Sequence, residues 1–197
     1  MLRRTHGLGI SPSLLTAVAL CVSAANGNPG QPTMRSARCA VATAYIEALL
    51  AKPSKLPHVF STQREQVPDL PEPSNWIDAR SHKHGASPSQ PLLRQLLSDA
   101  GQNSVTSCTS VRAALDKHHI KYGAKAVDAV AQSSNGSSYK ADISSVSLPL
   151  VSWDGKEAVL ISSGASGPLA AGGFLEYLRK LPSGEWVVVS VAGLWVS

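Results

Sequence analysis

From Ile143 onward the chain becomes a series of short segments rich in Val, Ile, Leu, Phe and Trp, cut apart by turn-forming residues. Such segments read as strands. They run from Ile143 to Ser152, Glu157 to Ser163, Gly173 to Lys180 and Glu185 to Val196. Asp154-Gly155 is a hairpin signal, because the left-handed dihedrals of a tight turn suit Gly and are tolerated by Asp. Pro182-Ser183-Gly184 marks a second turn. Consecutive strands joined this way predict a four-stranded antiparallel meander.

Upstream the periodicity changes to that of helices. Cys39, Ala42, Ile46 and Leu49 recur at helical spacing between about Ser36 and Ala51, and Pro53 forbids continuation. A second helix is signalled by Ser89 as a cap, Pro91 in the first turn and Leu92, Leu93, Leu96 and Leu97 on one face, with Gly101 as its stop. A third covers Cys108 to His118, with Cys108, Val111, Ala114 and Leu115 as its stripe. Lys125 to Ala131 fits a short helix or a strand equally, and Gln132 to Tyr139 reads as a loop. Between Pro53 and Pro91 seven prolines stand among polar residues, which predicts an extended connection fastened to the core by Trp76 and Ile77. The expected fold class is α+β: N-terminal helices packed on one face of a C-terminal four-stranded antiparallel meander.

Residues 1–27 carry the three parts of a cleavable export signal. Arg3 and Arg4 supply the basic start, and Leu14 to Val22 the apolar stretch, too short to span a bilayer. Small residues offer cleavage after Ala24, Ala25 or Gly27. Cys21 as a lipidated cysteine is a rival, weakened by Leu20 in front of it. The expected product is periplasmic or secreted, has no transmembrane span after leader removal, and comprises a disordered linker at 28–35 and one α+β domain at 36–197.

Charge narrows the partners. Lys and Arg number 18 against 13 acids, a net charge of +5; without Arg3 and Arg4 the balance is 16 against 13, or +3. The remaining cations are scattered, with no interleaved aromatics on which bases could stack, so nucleic acid is not an expected partner. The actual partner stays unknown.

Cys39 and Cys108 are the two cysteines that remain beyond the leader, each on the apolar stripe of its helix. In an oxidising compartment they are a disulfide candidate. Two buried thiols are the alternative, and so is a nucleophilic Cys108 served by His118 or His119. Ten helical residues span about 15 Å, which places neither imidazole beside that sulfur.

His82 and His84 flank Lys83, and His118 and His119 follow a helix, yet neither pair has the spacing of a ligand set on a helix. No metal and no cofactor are expected. Gly164-Ala165-Ser166-Gly167 and Gly172-Gly173 read as a wide loop or bulge between strands, without the Lys-Ser or Lys-Thr of a phosphate cradle. The nearby serines lack the Gly-x-Ser-x-Gly frame of a hydrolase elbow. No catalytic residue is assigned.

The stretch Gly164-Ala-Ser-Gly-Pro-Leu-Ala-Ala-Gly-Gly-Phe-Leu-Glu-Tyr-Leu-Arg-Lys-Leu-Pro-Ser-Gly-Glu-Trp-Val-Val-Val-Ser-Val-Ala-Gly-Leu-Trp-Val-Ser197 resembles the tail of uncharacterised exported proteins of Gram-negative bacteria. It departs from them in having no cysteine in the glycine loop. The resemblance implies a shared fold and brings no activity with it. The expected function is non-catalytic binding or structural support in the cell envelope. The alternatives are a small hydrolase with an unrecognised site and a ligand-binding α+β cone. Ionisable groups converging on a cleft would mark the enzyme, and an apolar pocket with few polar groups the cone.

Overall fold

The computed structural model describes residues 33–63, 69–98, 103–133, 136 and 138–197. The export signal, its cleavage region at Ala24, Ala25 and Gly27, and Cys21 lie outside the described residues. Along the chain come α1 (Met34–Leu50), β1 (His58–Phe60), β2 (Ile77–Asp78), α2 (Gln90–Ser98), α3 (Thr109–Lys117), β3 (Lys121–Tyr122), α4 (Ala124–Gln132), β4 (Asp142–Val146), β5 (Leu150–Val151), β6 (Glu157–Gly167), β7 (Ala170–Lys180) and β8 (Trp186–Val196). The architecture is α+β. Among the described residues no helix is long and apolar enough to cross a membrane.

The expected four-stranded antiparallel meander is overturned: the strands form one eight-stranded mixed sheet, in the order β2-β8-β7-β6-β4-β1-β3, with β5 also pairing β6. The antiparallel run β6-β7-β8 forms its middle. Beyond β4, however, β1 pairs parallel to β4, and β3 pairs parallel to β1. The segment read as a proline-rich connection thus supplies β1 and β2. Their two or three residues are too few to show a period.

Three local features also differ from expectation. The strand expected from Ile143 to Ser152 is split at Pro149, which has no N–H for a ladder, into β4 and β5. Arg38 donates to the carbonyls of Pro149 at 2.6 Å and Leu148 at 3.2 Å, serving acceptors where the strand is interrupted. Of the turn or bulge expected in the glycine-rich stretch, the structure has a register shift between Ala165 and Gly167, but the glycines stand in strands, Gly164 and Gly167 in β6 and Gly172 and Gly173 in β7. Gly173 has a steric reason: a Cβ there would come within 2.3 Å of the Trp195 indole nitrogen. Finally, α1 opens at Met34 inside the expected linker, with the Thr33 hydroxyl accepting the Ser36 N–H at 3.2 Å.

Asp154-Gly155 turns the hairpin from β5 to β6. Gly155 takes φ 68°, and the Asp154 carboxylate accepts from the Ser152 hydroxyl at 2.6 Å and the Lys156 N–H at 3.1 Å.

Helices cover both faces of the sheet rather than the one expected. On the first face, Val41, Ala42, Tyr45 and Ile46 of α1 and Val111 and Leu115 of α3 bury against the sheet, whose contribution includes Leu160 and Leu178. On the second, Leu92, Leu93 and Leu96 of α2 join Trp76 over Val159, Leu175 and Tyr177. Leu97, expected on that apolar face, is exposed. The undecided segment at 125–131 is helical, and α4 packs Val130 against Val59 and Ala141.

A seam ties α1 to α3. Cys39, Thr43 and Glu47 stand four residues apart and so share one side of α1. Cys39 and Cys108 stand at disulfide distance, with α-carbons 5.6 Å apart. Thr43 donates to Ser110 at 2.8 Å, and Glu47 meets His118 at 3.1 Å and Lys117 at 3.6 Å. The imidazole of His118, more than the ammonium of Lys117, holds the Glu47 carboxyl below its ordinary range.

Candidate functional site

Side chains alternate between faces along a strand, so Gly172, Phe174, Glu176 and Leu178 of β7 point to the α1 face. Leu178 lies beneath the helices. Glu176 stands opposite Leu160, and Phe174 opposite Ser162. These pairs lie where the helical cover ends, since Leu178 is buried, Glu176 is half-buried and Phe174 is 42% exposed.

Two hydroxyls converge on the Glu176 carboxylate at that border. Tyr45 of α1 donates to Oε1 at 2.6 Å, and Ser162 of β6 donates to the same oxygen at 2.5 Å. Both hydroxyls use Oε1 and neither uses Oε2. Burial of Tyr45, and then the charge of Glu176 and the hydrogen bond to it, push the phenol well above its ordinary value of 10.0. Tyr45 is therefore a proton donor at neutral pH and not a base.

A cleft of about 600 Å³ opens over Glu176, between α1 and the turn that follows β2. Its floor includes Leu178, Val188 and Val191, and Ala48 and Leu49 form the wall from α1. Bulges in β8 shape this floor. Register shifts between Gly173 and Phe174 and between Tyr177 and Leu178 give β8 the extra residues Leu194 and Val189, which pack against the α2-face core. Val188 and Val191 stay opposite Leu178 and Glu176. The rim mixes signs, with Lys52 and Arg80 against Asp78 and Glu185. Asp78 is occupied within its own turn, where it accepts from Ser81 and Arg80 N–H groups and the Ser81 hydroxyl; these bonds lower its pKa.

Two other clefts are less equipped. One of about 520 Å³ shares Phe174 and lies over Ser144, Gly164 and Gly172. The other, about 950 Å³, lies by β1, β3 and α4, where Asp116, His119, Lys121 and Lys125 are all exposed. His58 reaches both, and its buried Nδ1 has no hydrogen-bond partner.

Of the candidate site residues singled out in the sequence, only His82 borders the Glu176 cleft. Cys39 and Cys108 stand in the α1–α3 seam, where their pairing leaves Cys108 no free thiol for nucleophilic chemistry. His82 is on the rim of the Glu176 cleft with φ 57°, while His84 bridges to Ile77. His118 and His119 follow α3, one of them engaged by Glu47. Among the described residues, no three His, Cys, Asp or Glu side chains gather as a metal site.

Tyr45 and Glu176 were not singled out in the sequence, and Ser162 was weighed only for a hydrolase elbow, whose Gly-x-Ser-x-Gly frame it lacks. The available signal was Glu176, a lone acid at the inward parity of Phe174-Leu175-Glu176-Tyr177-Leu178. Nothing local to Tyr45 or Ser162 foretold that they would meet it. No family model, curated protein sequence or solved structure matches this chain.

Proposed function

We propose that this chain is an exported, non-catalytic binding domain, periplasmic or secreted, whose ligand is an amphipathic organic cation held in the cleft over Glu176. The observation that carries this reading is the Glu176 carboxylate itself. It is half-buried on an apolar floor and meets no cation among the described residues, although charges withdrawn from water are ordinarily paired. A ligand ammonium at Oε2 supplies that charge, and the half-buried Val188 and Val191 receive its apolar body. The Cys39–Cys108 pair supports an oxidising compartment.

Titration calorimetry with octylammonium chloride below its micelle concentration tests the ligand class. Saturable one-site binding is expected, weakened at least about tenfold by Glu176→Gln, the equivalent of about 1.4 kcal/mol. Octyl sulfate, with the same tail and the opposite charge, should not saturate. Absent octylammonium binding, or equal binding to Glu176→Gln, overturns the reading.

The Ser162–Glu176 bond favours a second reading, a small hydrolase in which the carboxylate activates Ser162. It ranks lower because Tyr45 donates to the same oxygen and weakens it as a base. Turnover of p-nitrophenyl acetate that disappears in Ser162→Ala would establish it.

A further inference from the structure

Strand β8 outruns its short neighbour β2, and its C-terminal part is an edge that lacks the usual protection. It runs eleven residues without one charged side chain, and β7 pairs along one side of it. On its other side, β2 pairs only with Ser190 and Val191, extended by the Ala79 N–H to the Val189 carbonyl at 3.1 Å. From Ala192 to Val196 no described strand lies beyond it. Sheet edges are ordinarily blunted by brevity, lysine or proline. The opposite edge obeys this rule, since β3 has two residues and the first is Lys121.

Exposed apolar side chains gather at the same end. Leu169, Phe174, Trp195 and Val196 are all exposed there, and single scattered apolar residues would not make such a cluster. Phe174 lies on the α1 face, whereas Trp195 lies over Gly173 on the other, so the edge is flanked by aromatics on both faces. The backbone is suitably turned. Ala171 and Ser197 exchange both of their hydrogen bonds, so the intervening pair of Gly172 with Val196 points its N–H and C=O groups away from one another. The polar groups of Val196 therefore face outward.

We infer that this edge pairs with the same edge of a second copy, β8 against β8 antiparallel across a two-fold axis, making one sheet through a dimer. An edge of free N–H and C=O groups selects an extended strand as its occupant. A two-fold axis sets residues on one side of it against residues on the other, and with no charged side chain in β8 no register brings like charges together. Flanking aromatics on both faces close over the joint.

Sedimentation equilibrium of the full chain through the micromolar range tests this, with Val196→Lys and Val196→Pro as variants. Val196 is 83% exposed and makes no ladder bond to β7, so both variants should keep the wild-type thermal midpoint. A wild-type dimer is expected, with its dissociation constant raised at least about tenfold in both variants. Amide exchange at Val196 should slow as protein concentration rises. A wild-type chain that stays monomeric, leaving the edge to a strand of some other protein, overturns the inference, as does a dimer that both variants form with wild-type affinity.

Discussion

The hairpin of β6 and β7 has two ends on the same face, and they have opposite fates. At one end Ala158, Leu160 and Leu178 are sealed beneath α1 and α3. At the other, Ser162, Gly164, Gly172 and Phe174 continue the same rows of the ladder, outside the core that the described helices α1 and α3 seal. Backbone pairing is unbroken between the two, so the sheet itself does not distinguish them. The difference comes from side-chain volume and from where the helices reach. Large aliphatic residues receive helices, and small or polar residues leave the sheet open. Glu176 and Tyr45 stand on the border, where a half-buried carboxylate lies beside an apolar floor.

The largest expected effect falls on the covered end. The Cys39–Cys108 pair joins α1 to α3 across 69 residues. Closing a loop of that length constrains the unfolded chain by about 4 kcal/mol in the entropic account. Replacing both cysteines with alanine should lower stability by up to about that amount in urea unfolding. A loss below about 1 kcal/mol would show that packing alone holds the cover in place.

Leu160→Ala should follow, at about 3 kcal/mol, because a fully buried leucine leaves a cavity among side chains that only partly relax. If the variant lost less than about 1 kcal/mol, the sealed end would be loosely packed and the contrast between the two ends would fail.

The antiparallel end of the molecule was legible because its signals are local. Phe174-Leu175-Glu176-Tyr177-Leu178 shows its two faces by simple alternation, and Asp154-Gly155 specifies its own turn. The cysteines were legible as well, since few residues could compete for each. The parallel end was hidden. The three residues of β1 find their partners more than sixty residues away, and such pairings are fixed by the helices that connect them rather than by any pattern in the strands. Gly173 was read as the start of a strand, but its reason for being glycine was not legible: it makes room for the indole of Trp195. The site was only partly written, because Glu176 declares its parity while Tyr45 lies on a helix 131 residues distant.

Alkaline titration examines the border from both faces. Desolvation by burial is the leading cause that raises Tyr45 well above 10.0 and Tyr177 to about 12; their hydrogen bonds to Glu176 and Glu157 add to it. Both groups hold their protons more tightly folded than unfolded. The stability they contribute is complete below about pH 10, and the part due to Tyr177 is lost as pH rises from there to about 12. The part due to Tyr45 continues to fall above pH 10. Urea unfolding midpoints should therefore drop through that range. Tyrosinate absorbance assigned to Tyr45 by comparison with Tyr45→Phe, appearing near pH 10 in a chain with unchanged circular dichroism, would count against burial at the border.

Tyr45→Phe itself should cost about 1.5 kcal/mol at neutral pH, the usual worth of a hydrogen bond to a charged group. The Ser162 hydroxyl still serves Oε1 in that variant, which limits the damage. A loss above about 3 kcal/mol would mean that Tyr45 holds α1 to the sheet as a structural anchor.

The smallest effect belongs to Phe174, and it decides whether the open end is open for a reason. Its ring is 42% exposed and sits opposite Ser162, so truncation removes apolar surface that water already reaches on one side. Phe174→Ala should therefore cost less than about 1 kcal/mol in urea, against about 3 for Leu160→Ala on the same face of the same hairpin. Phe174 also lines the Glu176 cleft, so the same variant should weaken octylammonium binding severalfold while leaving the fold intact. A large loss of stability with unaltered binding would invert this assignment: Phe174 would then be part of the core, and the bare end of the hairpin would be a margin of the packing rather than a surface kept free for a ligand.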